Sequence, residues 1–304
     1  MWYRPCGASS ARPAKDAPPT PKEVSADPSI SSLPALPYLN LLRLQDTVSY
    51  ESSHCAGYNT SSYLTMASTA SSINHLRDAG IPCLTKKAYN ATYPAIAPSR
   101  PELSLGGKHV VLTGAGSGIG RETAKAFAAA GAASIFLLGG RRESLLSETA
   151  EAVKKEFPNI AVDVAAANIA DRKAINDAVS RHVTSWDVLV LNAAYLPDPA
   201  TIVEADLDDW SMAWEINVKG NLQVIQTLLP KRSENASVIG VSSNVINLPG
   251  EWTQKLSPYT ITKTAFSKAF EIFAAEVPDT HSVTFHPGAG TSTSSRTWRS
   301  KGFG

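Results

Sequence analysis

Cysteine is scarce in this chain: Cys6, Cys55 and Cys83 are the three in 304 residues, and all lie in the first third. The count is odd and no C-x-x-C spacing occurs, which argues against both a disulfide framework and a zinc site. Charge of one sign is lacking too. The formal net charge is +1 with no run of Lys or Arg, so no surface is laid out for a phosphate backbone and no nucleic-acid partner is expected. Long apolar runs are absent, and nothing approaches the ~18 uninterrupted residues of a membrane span. The N-terminus, MWYRPCGASSARPAKDAPPTPK, has no apolar segment of the secretory kind. Arg4, Arg12 and Lys15 stand among serines, but Asp16 and the prolines spoil the amphipathic helix of a mitochondrial presequence. A reducing, cytoplasmic setting with no membrane partner fits these exclusions. The six histidines, His54, His75, His109, His182, His281 and His286, show no ligand spacing, so no metal is expected.

Composition changes near residue 105. Twelve of the twenty prolines lie in residues 1–101, among Ser, Thr and Ala with no sustained period. Such a segment buries too little apolar area to offset its chain entropy, so residues 1–104 are expected to be a mostly disordered extension. Residues 33–44 are its most apolar part and suit a short helix. Residues 72–101 suit a lead-in lying on a domain surface, and Met66 is a plausible true start. From residue 105 to 304 the texture becomes regular. KHVVLTG, ASIFLLGG, NIAVDVAAANI, WDVLVLNAA, ASVIGVSS and HSVTFHPG are short apolar runs. They alternate with helical patterns, including a long one from Asp206 to Leu229 and SPYTITKTAFSKAFEIFAAEV. Continuous apolar strands alternating with amphipathic helices predict an α/β domain, with a doubly wound parallel sheet covered on both faces.

At the junction of the first strand and first helix stands VVLTGAGSGIGRETA. Gly114, Gly118 and Gly120 permit a tight turn, close approach of a pyrophosphate and close helix–strand packing, while the helix N-terminus offers N–H groups. Gly120 is followed by Arg121 and Glu122, not Lys-Ser/Thr, which disfavours a nucleoside-triphosphate hydrolase. Near the other end, Tyr259 and Lys263 are four residues apart, about one helical turn. No G-x-S-x-G elbow supports a serine hydrolase.

The glycine spacing is T-G-x-x-x-G-x-G, and with it the chain resembles the short-chain dehydrogenase/reductase family. LNAA at 191–194 is similar to the family's Asn-Ala-Gly motif, with Ala194 in place of the glycine. EINVKG at 215–220 resembles the segment carrying a catalytic asparagine, here Asn217. VSSN at 241–244 resembles the strand end carrying the catalytic serine, Tyr259-Thr-Ile-Thr-Lys263 is the Y-x-x-x-K pair, and HPG at 286–288 matches the family's Pro-Gly. The resemblance covers residues 105–293. It implies a Rossmann-type, nicotinamide-binding oxidoreductase that interconverts a carbonyl and an alcohol. Its dinucleotide site would be formed by Thr113, Gly114, Ser117, Gly118, Ile119 and Gly120, with Asn168 and Ile169 at the adenine. Asn192, Ala193, Ala194, Tyr259, Lys263, Pro287, Gly288 and Thr291 complete it, Thr293 being the alternative to Thr291.

The coenzyme is read from the end of strand two. In this fold an acid there binds the adenosine ribose and repels a 2′-phosphate. Here the strand ends Leu138-Gly139-Gly140 and continues Arg141-Arg142, so two guanidiniums replace the acid, and NADP is expected over NAD.

Tyr259 is the expected acid/base. A phenol with an ordinary pKa near 10 is a weak base at neutrality, and the neighbouring Lys263 cation is there to favour the phenolate. Ser243 would polarise the carbonyl, with Ser242 as its alternative. By resemblance, Asn217 would help to hold a water that connects Lys263 to solvent. The segment LPGEWTQKLSP is expected to bulge as a loop near the substrate, with Trp252 a candidate contact. The family continues beyond the Pro-Gly motif with a substrate-covering helical segment and a seventh strand, and neither can be built from the sixteen residues that follow Gly288. The last strand is therefore expected to be a sheet edge and the site to lack its lid. An NADP-binding family member without activity is the alternative function. Pairing of two copies through the helices carrying Asn217 and Tyr259 is what the family implies for assembly.

Overall fold

The computed structural model describes residues 92–140 and 142–288. The expectations for residues 1–91, for Arg141 and for the tail with Thr291 and Thr293 lie outside the described residues. Residues 92–104 lead into the domain through two 3-10 turns, Pro94–Ile96 and Pro101–Leu103. Each opens on a proline, whose fixed φ suits a first helical position. Ile96 and Leu103 are buried, as is Leu105, whose N–H donates to Ala130 O at 2.8 Å.

The domain alternates strand and helix. β1 (His109–Thr113), α1 (Gly118–Ala129), β2 (Ser134–Gly139), α2 (Glu143–Glu156), β3 (Ala161–Ala166) and α3 (Arg172–His182) form its first half. β4 (Trp186–Leu191), α4 (Leu207–Trp214), a π turn (Glu215–Gly220), α5 (Asn221–Leu228), β5 (Arg232–Val241), α6 (Ser257–Glu276) and β6 (His281–Phe285) form its second. The six strands lie in the order β3-β2-β1-β4-β5-β6 and every pairing is parallel. The order reverses between β1 and β4. This is the doubly wound, Rossmann-type arrangement, and it opens a crevice beyond the carboxyl ends of those strands.

The period of two along each strand sorts the core into two layers. Val110, Leu112, Ile135, Leu137, Val188 and Val190 pack with Phe127, Leu146 and Val153 of α1 and α2. Val111, Phe136, Leu138, Leu189 and Leu191 pack on the other face with Ile175, Val224, Leu228, Phe266 and Phe270 of α3, α5 and α6. Trp186 is fully buried and donates from Nε1 to Leu228 O at 2.8 Å, which satisfies the one polar atom of its ring. Asp171 and Asp206 cap α3 and α4 by accepting from Ala174 N and Asp208 N.

Two features bear on the site. The helix expected from Asp206 to Leu229 is interrupted by the π turn at Glu215–Gly220, centred on Asn217. Beyond it, β6 is the end strand among the described residues. It pairs with β5, and all five of its residues are half-buried, whereas four of the five in β1 are buried.

Candidate active site

The glycine-rich turn leaves β1 and enters α1. Gly114 has φ +68°, and a Cβ on it would lie 2.7 Å from Ala193 Cα; a Cβ on Gly120 would lie 2.2 Å from Gly114 O. No side chain fits either place, so the turn presents bare backbone to the crevice. Ser117 stands at the N-cap of α1 without using its side chain there, and Gly118 and Ile119 form the first turn. The cradle fits a dinucleotide pyrophosphate: it has glycine backbone, a helix N-terminus and no acid at the end of β2, where Gly139 and Gly140 stand.

The side chains of two residues assigned to the cofactor are engaged within the protein. Thr113 is fully buried, and its hydroxyl donates to Val190 O (3.3 Å) and accepts from Asn192 N and Ala193 N (3.0 Å each). Its side chain therefore joins β1 to β4 and cannot touch a ligand. Ile169 is buried against Gly220, and its carbonyl accepts from Gln223 Nε2 at 2.9 Å. Its side chain belongs to the core. Asn192 donates from Nδ2 to Thr113 O and Gly114 O and so stiffens the turn from behind. Asn168, exposed at the end of β3, accepts from Ala170 N, and Ala194 is exposed beside Ala193. Arg142 is exposed at the N-cap of α2. Pro287 and Gly288 follow β6, Gly288 with φ +93°.

The proposed catalytic groups meet at the end of β5. Tyr259 lies in the first turn of α6, which begins Ser257-Pro258, and its phenol is hydrogen-bonded to the Ser243 side chain. Ser242 is turned away, with its hydroxyl 2.7 Å from Ser267 Oγ, so the serine facing Tyr259 is Ser243. One turn on, Lys263 is buried; its Nζ donates to Val241 O at 2.7 Å and lies 5.9 Å from the centroid of the Tyr259 ring.

Burial governs both titrations. Removal from water pushes the Tyr259 phenol above its ordinary 10, and the bond from Ser243 opposes this. Burial lowers Lys263 from 10.5 to about 8. The neighbouring cation by its charge alone would favour the phenolate, but in this structure desolvation prevails. At neutral pH Lys263 is charged and Tyr259 keeps its proton.

The side chain of Asn217, the residue expected to help hold a water, is bonded within the protein. Its Oδ1 accepts from Tyr195 N (2.6 Å), and its Nδ2 donates to Tyr195 O (2.8 Å) and Thr262 Oγ1 (3.0 Å). Those bonds commit the amide to protein partners and leave it little capacity for a water. Asn217 instead clamps the loop after β4 to α6, and the π turn is the backbone distortion that lets it reach. Its own carbonyl accepts from Asn221 Nδ2 at 2.9 Å. Sequence reasoning missed Asn221, Thr262, and Asp209, whose carboxylate receives the Tyr195 hydroxyl and Asp198 N. Only the T in Y-x-x-T-K, adjacent to Lys263, was within reach of a motif. The loop expected to border the substrate carries 3-10 turns at Asn244–Asn247 and Gly250–Trp252. It is tied to the opposite rim by a bridge between Ala200 and Leu256, with Ala200 N donating to Lys255 O at 3.1 Å.

With this geometry in hand, the comparisons with known proteins are specific. A family model described as short chain dehydrogenase matches residues 108–301. A short chain dehydrogenase of Pseudocercospora fijiensis is 35% identical over 207 residues, covering 65% of this chain and 64% of that protein. The chain thus spans just under two thirds of that relative's length. A short chain dehydrogenase of Monascus purpureus is 33% identical over 216 residues, covering 67% and 71%. Among solved structures, L-sorbose reductase from Gluconobacter frateurii, complexed with NADPH and L-sorbose, is similar with a TM-score of 0.55. It is 26% identical, with 60% of this chain and 70% of that chain covered. A short chain dehydrogenase from Shigella flexneri, 24% identical with a TM-score of 0.59 and coverage of 64% and 76%, shares the fold. The chain belongs to the short chain dehydrogenase family.

Proposed function

We propose that the protein is an NADP-dependent oxidoreductase that interconverts a carbonyl and an alcohol on a small molecule, with Tyr259 as acid/base. The observation that carries this reading is the meeting of Ser243, Tyr259 and Lys263 at the end of β5, across from the glycine cradle at the end of β1. The NADPH complex of the similar Gluconobacter reductase and the glycines in place of an acid at the end of β2 support NADP over NAD. Gly114, Ser117, Gly118, Ile119 and Gly120 would hold the pyrophosphate, Arg142 with Arg141 the 2′-phosphate, and Asn168 the adenine. Ala193, Ala194, Pro287, Gly288 and Thr291 would border the nicotinamide. A bound nicotinamide supplies or accepts the hydride.

The chain's own groups handle the proton. Tyr259, protonated at neutral pH, donates to the carbonyl oxygen as negative charge develops there, and Ser243 holds that oxygen and the phenol in line. Lys263, charged below about pH 8, stabilises the phenolate left behind. Asn217 acts as a positioning residue through Tyr195 and Thr262. These protonation states favour carbonyl reduction at neutral pH.

A second reading, NADP binding without turnover, draws on β6, whose residues are half-buried with one strand neighbour among the described residues. Following NADPH binding by fluorescence and then its oxidation with a carbonyl panel separates the two. Binding with turnover supports the enzyme. Binding without turnover on any carbonyl supports the second reading, and failure to bind NADPH contradicts both. We place the protein in the cytoplasm. We also assign a homo-oligomeric interface to the outer faces of α4 and α6, where Leu207, Trp214, Ile261 and Ile272 are exposed.

A further inference from the structure

Arg121 sits in the first turn of α1, where a positive charge opposes the helix dipole and needs a compensating partner. It folds back over the dinucleotide turn. Its Nη2 donates to Gly116 O (3.1 Å) and to Glu148 Oε2 (3.0 Å), and its Nε donates to Thr149 Oγ1 (3.1 Å). Thr149 is fully buried in α2, and its hydroxyl lies 3.0 Å from both Ala115 O and Leu145 O. Of two consecutive carbonyls of the turn, Ala115 O is therefore tied to α2 directly by Thr149, and Gly116 O through Arg121, which is itself bonded to Thr149 and Glu148. The packing agrees: the Gly116 backbone lies against Leu145, and Gly139, at the end of β2, lies against Leu146. The helix so anchored is the one whose N-cap is Arg142.

We propose that Arg121, Thr149 and Glu148 form a latch that fixes the distance between the pyrophosphate cradle and Arg142, and thereby sets the preference for NADP over NAD. The inference rests on the NADP reading given above. NADPH would be held at two points, the pyrophosphate and the 2′-phosphate, whereas NADH is held at the first alone. Once the first point is engaged, the second forms within one complex, and its contribution depends on how well the two anchors are held in register. Loosening the latch reduces that second contribution and leaves the first largely in place. These are positioning residues, and their signature is a change in the ratio of the two affinities. A scaffold role alone would lower both alike. Arginine is suited to the task because its planar fork reaches a carbonyl, a hydroxyl and a carboxylate together.

The test is fluorescence titration of NADPH and of NADH against the parent protein, Thr149→Val, Thr149→Ser and Arg121→Gln, with melting temperature recorded for each. The latch predicts that Thr149→Val and Arg121→Gln weaken NADPH roughly tenfold and NADH less than about twofold, with Thr149→Ser close to the parent. Glu148→Gln, at the exposed end of the network, keeps the turn contacts and folds even if the buried variants do not. It is expected to shift the ratio the same way by about twofold to threefold. Equal losses for both coenzymes, or an unchanged ratio in every variant, would overturn the latch. A parent protein that itself prefers neither coenzyme would overturn the NADP reading and the latch together, so the two failures are told apart by the parent measurement.

Discussion

The turn after β1 and the shelf at the end of β5 both lie at carboxyl ends of parallel strands, yet they are made of different materials. The turn is backbone: Gly114 and Gly120 are there because no side chain fits, Thr113 and Asn192 hold its shape from behind, and Arg121 and Thr149 tie it to α2. The shelf is side chains: Ser243, Tyr259 and the buried Lys263 are the groups to which we assign the chemistry, and Asn217 with Thr262 steadies the helix beneath them. On the proposed function, one region would bind by shape, and the other would act through two titrating groups whose burial is unfavourable to their charged forms. The first should therefore fail by steric change and the second by loss of chemistry, often with a gain in stability.

The largest effect is expected in the turn. Gly120→Ala forces a Cβ to within 2.2 Å of Gly114 O, which the backbone can relieve only by moving. NADPH affinity should fall at least roughly a hundredfold, with about 1–3 kcal/mol lost in urea unfolding. Unaltered NADPH affinity would show that the cradle is not the cofactor site.

Lys263→Met sharpens the comparison from the other side. In the fold Lys263 has a pKa lowered from 10.5 to about 8, so between those values the unfolded chain holds more protons. Stability of the parent thus rises with pH through that window and is lowest below about pH 8, where the buried ammonium is charged. The substitution removes the charge and one hydrogen bond to Val241 O. It should stabilise by about 1–2 kcal/mol at pH 7 and lose that advantage toward pH 10, while abolishing turnover. Urea melts at pH 7 and pH 10 check it; an advantage that grows with pH would contradict the assignment.

Asn221→Ala removes the buried donor to Asn217 O and should cost about 1 kcal/mol, with the pitch of the π turn altered. Thermal melts together with the near-ultraviolet circular dichroism of Trp210 and Trp214 report both effects. The smallest effect on the folded chain is expected from Trp214→Glu, on the exposed face of α4: monomer stability within about 0.5 kcal/mol of the parent, but loss of oligomer in sedimentation velocity. An oligomer that survives this change lies on another face.

The same contrast governs what the sequence made legible. Strand and helix identities followed from apolar period, and the glycine spacing marked the turn because backbone constraints leave few residue choices. Tyr259 and Lys263 stood out through one-turn spacing and motif order. The π turn did not, because one extra residue in a helical turn leaves the apolar stripe nearly intact, and it accompanies tertiary bonds from Asn217 to Tyr195. The latch was invisible for a similar reason: Arg121 and Thr149 are 28 positions apart and read singly as ordinary helical residues. The expectation that Lys263 lowers the Tyr259 pKa counted the charge but not the burial, which only the packed core reveals. Ser243 was separated from Ser242 by the position of Ser267, one turn past Lys263 on α6.

The division between a binding turn and a reacting shelf is tested most directly by Tyr259→Phe, measured for NADPH affinity and for carbonyl reduction on the same preparation. The substitution removes one hydroxyl and leaves the cradle untouched. The expected result is NADPH affinity within about threefold of the parent, with turnover reduced roughly a thousandfold or more. Turnover that persists at the parent rate, with NADPH still bound, would contradict the assignment of proton transfer to Tyr259.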